Sequence, residues 1–282
     1  MAEETRLRTA KPIGGTGTMT EVYMGLVWLG TSMYVAHATI TGSQDGLSGA
    51  FGSAAAALPG VVAGALVTTA AIGHAASSRF KPFWLRLPIG LGVGLLFGLV
   101  CAAGIRFGYG DQAGITVFAL TVGAAAVVGG AFAALPNAVL EAGLWATTFV
   151  FAFGVFIGVL QPTVVQQLGE GPDSTRLYLN GASALFGLLA AFYSAQKMRG
   201  EEAAAPWSLV AGALPGVFLV LAEYITRLGG SSVVDMVTGV AADNPDLSTL
   251  TDADRMRHGL IVLAVGGVVA LIVALIPRRK ED

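Results

Sequence analysis

Eight stretches of the chain, at 22–41, 54–73, 87–105, 114–134, 138–160, 177–195, 207–226 and 259–277, are continuously apolar and almost free of ions. Each is close to the roughly 20 residues that a helix needs to cross a hydrocarbon core of about 30 Å. The sequence holds 16 Lys+Arg and 18 Asp+Glu, yet only Glu141 and Glu223 fall inside these windows. Such exclusion is what lipid imposes, because an ionised side chain at the centre of a span costs at least about 2.5 kcal/mol. The runs do not alternate in polarity and are rich in Ala, Leu and Gly, which argues against membrane strands. The expected fold is an all-α, polytopic transmembrane helix bundle of about eight spans.

Composition agrees. Charged residues make up 12% of the chain, against about 25% in a soluble domain, and the mean hydropathy is +0.71. The low, balanced charge excludes nucleic-acid binding and disorder, and the lone Cys101 excludes an intramolecular disulfide scaffold. The high arginine-to-lysine ratio, with abundant Ala and Gly, points to a high-GC bacterial genome.

Threading follows from the basic residues. With the N-terminus inside, the inner segments hold Arg6, Arg8, Lys11, Arg79, Lys81, Arg86, Lys197, Arg199, Arg278, Arg279 and Lys280, including every lysine. The outer segments hold Arg106, Arg176, Arg227, Arg255 and Arg257, the last three in one long loop that counts little. Both termini are therefore expected in the cytoplasm and the chain in the cytoplasmic membrane. Ala36, His37 and Ala38 resemble a signal-peptide cleavage site, but the long polar leader with Glu3, Glu4 and Glu21 argues for a retained first span.

Residues 1–21 read as a mobile tail, with Pro12 and the Gly14, Gly15, Gly17 run opposing helix. The transmembrane domain is 22–277 and a short tail is 278–282. Pro136 and Asn137 predict a tight hairpin between spans 4 and 5, with Asn137 capping the second. A polar loop is expected at 161–176. In the outer loop 227–258, Val233, Met236, Val237 and Val240 predict a short amphipathic helix, and Thr251 with Asp254 a capping box. Ala-Leu-Pro recurs at 57–59, 134–136 and 213–215, but the flanking residues do not match, so the triplet does not establish a repeat.

Small residues four apart, at Gly60/Gly64, Gly90/Gly94/Gly98, Gly154/Gly158 and Gly212/Gly216, predict flat faces on which these four helices pack together or form a homo-oligomer. Glu223 and Glu141 are candidate proton or cation sites because they lie within spans, although Arg227 stands four residues after Glu223 and Glu141 lies in a first helical turn. His37 and His258 fall at the same membrane face as Glu223. The three would suit a zinc ion or a titrating gate if the helices gathered them, but no metal or cofactor is assigned.

Gly108, Tyr109, Gly110 and Asp111 resemble the GxGD string of intramembrane aspartyl proteases in those four residues alone. No second Asp falls in any span to complete that chemistry. Metalloprotease, serine-hydrolase and phosphate-loop motifs are absent. Two classes of function remain. One is a transporter or permease-like subunit, with or without an ATPase partner, in which the proline-bearing spans 2, 3 and 7 supply broken helices. The other is a non-transporting scaffold or accessory subunit. Reporter fusions at the two chain ends should both score as cytoplasmic; opposite signals would mean an odd number of crossings.

Overall fold

The computed structural model describes residues 16–40, 54–80, 82–110, 113–169, 172–201, 204–229 and 252–276. Among them eight α-helices form, one at each predicted window: α1 Thr16–Ile40, α2 Ala54–Ser77, α3 Phe83–Tyr109, α4 Ala113–Ala131, α5 Asn137–Gln167, α6 Pro172–Gly200, α7 Ala205–Leu228 and α8 Asp252–Leu275. Seven, all but α1, are long and apolar enough to cross a membrane. With 25 residues α1 has the length, and Thr31, Ser32 and His37 make it more polar. The protein is thus an all-α membrane helix bundle.

Most helices outrun the apolar windows, because hydropathy marks hydrocarbon and not the hydrogen-bonded turns beyond it. Residues 16–21, expected in a mobile tail, are helical despite Gly17, and Glu21 is buried. The expected polar loop 161–176 is mostly helix, with α5 running to Gln167 and α6 starting at Pro172. The prolines do not break their helices: Pro59, Pro88 and Pro215 lie within continuous α2, α3 and α7. At the end of α3, Gly110 adopts φ +90° with ψ -169°, a conformation open to glycine, and its N–H makes the last helical bond to the Arg106 carbonyl. The amphipathic segment at 233–240, Thr251 of the capping box and Asp111 lie outside the described residues.

The link between α4 and α5 corrects a second expectation. A 3₁₀ turn at Phe132–Ala134 and extended backbone at Leu135 and Pro136 separate the two helices, which do not pack as a hairpin. Asn137 does not cap α5; its Nδ2 donates to the Ser78 carbonyl at the end of α2, at 3.3 Å. The link joins two four-helix halves. α1–α4 pack chiefly on one another, and so do α5–α8.

The halves repeat one plan. In each, the third helix packs most extensively on the fourth, and the second contacts all three others. Gly90 and Gly130 touch backbone to backbone between α3 and α4, as Gly212 and Gly266 do between α7 and α8. One turn along, Gly94 meets Val127 where Gly216 meets Leu263; a further turn along, Gly98 meets Gly123 where Val220 meets Gly259. All three levels keep a single spacing in each helix pair, so the two pairs share one packing register. The Ala-Leu-Pro triplets fall in α2, in the inter-half link and in α7, which are not equivalent places, so they do not mark it.

Three of the four predicted small-residue faces pack, but on neighbours outside their own set. Gly64 lies against the Leu29 backbone, so that an added Cβ would come within 2.8 Å of Leu29 Cα, and Gly60 against Ser32 on α1, while the α3 and α7 faces meet α4 and α8. The fourth, Gly154/Gly158 on α5, meets no neighbouring helix of the chain among the described residues. Nothing lies within 4 Å of where a Cβ on Gly154 would sit, and Gly158 is exposed. The reason is that α5 packs through its first half, where Gly143 lies against Leu214 of α7. Its later turns face outward, with Phe153 and Phe156 exposed beside the two glycines. The halves join through α2 and α7, through Trp28 of α1 stacked on Phe151 of α5 at 4.5 Å, and through Phe132 against Phe218.

Because a Cβ at a backbone contact forces the helices apart, Gly94→Leu and Gly212→Leu should each destabilise the bundle by about 3 kcal/mol or more. Gly154→Ala and Gly158→Ala, at unobstructed positions inside a helix, should be neutral or stabilise by up to about 1 kcal/mol. Denaturant titration in micelles, followed by circular dichroism, checks the contrast.

Candidate functional site

The alternating direction of the helices sorts polar side chains between the two ends of the bundle. At the end where α2, α4 and α6 begin, most are satisfied. Glu223, buried on α7, is held by Arg255 of α8 at 3.1 Å from Nε to Oε2 and by Arg227, one turn along its own helix, at 3.3 Å. Its negative charge therefore faces two guanidinium groups. His258 Nδ1 lies 2.6 Å from the Ser183 hydroxyl and its ring packs edge-on against Phe186. Arg176 approaches Asp254 at 3.9 Å. His37 packs edge-on against Tyr109, whose hydroxyl donates to the Met33 carbonyl. His37, Glu223 and His258 thus have separate partners, and among the described residues no three His, Cys, Asp or Glu side chains are gathered as metal ligands.

At the opposite end, where α1, α3, α5 and α7 begin, several buried polar groups have no partner among the described residues. The register of α1 on α2, with Gly25 at Thr68 and Gly64 at Leu29, carries Glu21 into the interior beside the last turns of α2. Glu21 is 2% exposed, and neither carboxyl oxygen has a hydrogen-bond partner among the described residues. The same holds for His74 Nδ1 and Ser77 Oγ on α2, Thr68 Oγ1 further down the same helix, Arg86 Nε and Nη2 on α3, and Ser194 Oγ on α6.

Charges from the other half lie within electrostatic range of Glu21: Glu141 on α5 and Lys197 on α6, with the Tyr193 hydroxyl in the field of all three. Lys197 Nζ donates to Glu141 Oε1 at 2.7 Å, so its charge is already engaged. His74 lies within range of both Arg86 and Glu141. Glu141, expected to serve the dipole of its own helix, is instead the acceptor of an inter-helix ion pair that borders this cluster.

An unpaired buried polar group costs about 1–3 kcal/mol, more when charged. Such groups are expected where a protein holds a proton, an ion, water or substrate. The arrangement can take up a proton or a cation at Glu21, next to a Lys197–Glu141 pair able to respond to that charge. Of these residues only Glu141 stands out in the sequence as a site. Glu21 lies one residue before an apolar window, and His74, Arg86 and Lys197 sit at span ends, where they read as interfacial. A helical reading of 16–21 would have placed Glu21 on the buried face shared with Gly25. No protein-family model, curated protein or solved structure matches the chain.

The Glu223 group supports stability. Arg255→Leu, which removes the more buried guanidinium, should cost about 3 kcal/mol. Arg227→Leu, at an exposed side chain, should cost less than about 1 kcal/mol. Unfolding titrations of the two variants in micelles check the order.

Proposed function

We propose that the protein is a membrane transporter in which a proton or cation passes between the two four-helix halves and is held at Glu21. The observation that carries this reading is a buried carboxyl from one half, without a hydrogen-bond partner among the described residues, facing an ion pair from the other. Transporters built from repeats bind substrate and coupling ions at the repeat interface, and an ionisable group inside a bundle commonly marks an ion path. The halves share a packing plan, and a rocking of one against the other would open Glu21 to either side in turn. Basic residues cluster at the end holding Glu21, which supports placing that end and both termini in the cytoplasm of a cell bounded by this membrane.

Proteoliposomes loaded with a pH-sensitive or a sodium-sensitive dye, and driven by a potassium diffusion potential, test the reading. Wild-type protein should carry protons or sodium inward, and Glu21→Gln should reduce the flux to that of empty liposomes while eluting as a folded species. Absence of flux of either ion in wild type, or equal flux in Glu21→Gln, would contradict it and favour a scaffold or accessory subunit.

A further inference from the structure

The starts of three helices converge on one cleft of about 480 Å³ at the basic end of the bundle, where Phe83 of α3, Asn137 of α5 and Trp207 of α7 line it together with Ser78, Pro136 and Arg86. None of the three helices carries a side-chain cap: the preceding residues are Pro82, Pro136 and Ala204. The Leu85, Leu140 and Trp207 N–H groups bond back to the Pro82, Pro136 and Ala204 carbonyls. The N–H groups before them, Phe83 and Trp84 on α3, Asn137, Ala138 and Val139 on α5 and Ala205 on α7, have no side-chain cap, and each start carries the positive end of a helix dipole. Helix starts alone are common. What distinguishes this cleft is Arg86, which lines it, is 5% exposed, and keeps Nε and Nη2 without a hydrogen-bond partner among the described residues.

We infer that this cleft binds a phosphate-type anion. Three dipole ends and a guanidinium sum to positive potential in a half-enclosed, partly apolar space, and the planar donor fork of arginine matches phosphate oxygens. Competing negative charge is limited. Glu141, one turn into α5, is engaged by Lys197, and the Asn137 amide is turned to the Ser78 carbonyl. The volume admits a phosphodiester headgroup. The exposed rings of Phe83, Trp84 and Trp207 sit at a helix end, where aromatic side chains meet the headgroup layer of a bilayer. The anion can come from a lipid headgroup or from free phosphate; both present the same oxygens.

Thermal unfolding of the full-length protein distinguishes them. In one arm phosphatidylglycerol is added to micelles of a phosphate-free, non-ionic detergent; in the other inorganic phosphate replaces chloride at equal ionic strength in the same detergent without lipid. A bound anion should raise the midpoint by about 3 °C or more. A rise with phosphatidylglycerol alone identifies a lipid headgroup, and a rise with phosphate identifies a free anion. Arg86→Gln should erase the rise. So should Asn137→Asp, an exposed position where a new carboxylate opposes the anion without removing a buried cation; it decides the matter if Arg86→Gln does not fold. No rise in wild type in either arm, or a rise that survives in the folded variants, would overturn the inference.

Discussion

Backbone-to-backbone contact at glycine is the interaction on which the structure depends. In lipid, apolar side chains gain nothing by leaving their surroundings for one another, so helices associate through close van der Waals contact, and that requires small residues. Gly90 with Gly130, and Gly212 with Gly266, give α3–α4 and α7–α8 that closeness. α2 carries the N-terminal half as its most enclosed element, buried continuously from Val61 to Ala71. α3 and α8 instead turn much of their surface outward, through residues such as Leu96, Val100, Val268 and Ile272. Two similar units result, and the space between them is where the chain can hold groups that neither unit satisfies alone.

The two ends of the bundle differ in how polar groups are treated. At one end, each carboxylate or imidazole in a described contact has a partner, and Glu223 has two. At the other, Glu21, His74 and Arg86 are just as buried but retain polar atoms without partners among the described residues. A fold selected only for stability would pair or remove them, since apolar replacements of similar size are commonly neutral or stabilising. The asymmetry, and not the mere presence of buried charge, concentrates the functional reading at one end and gives the Glu223 group a structural role.

The sequence made the spans legible because charge exclusion is a strong constraint over a long window, and each window became a helix. It did not convey where helices end, because turns beyond the hydrocarbon are polar yet still hydrogen-bonded; that gap hid Glu21. Nor did it reveal partners. Glycines four apart mark a face that can pack, yet Gly90 and Gly94 are covered by α4 while Gly158 is exposed, and spacing alone does not separate the two cases. Pro136 and Asn137 mark a tight connection, but whether a short link closes a hairpin or joins two units depends on faces such as Gly123, Gly130 and Gly129, which commit α4 to α3 and α2. The shared packing register of α3–α4 and α7–α8 escaped notice because it lies in contact levels, where Gly98 corresponds to Val220, more than in residue identity. Glu223 with Arg227 could be read from spacing four along a helix; Arg255, from a helix on the far side of a long loop, could not.

The central claim is that α1–α4 and α5–α8 are two units joined face to face, with α1 against α5. A Cys101→Ala background carrying Trp28→Cys and Phe151→Cys, treated in membranes with a short bifunctional thiol reagent, tests it most directly. The account predicts an efficient cross-link within one chain, detected as a single peptide pair by mass spectrometry and as unchanged monomer mass. Failure to cross-link while both thiols remain reactive, or links only between separate chains, would contradict it.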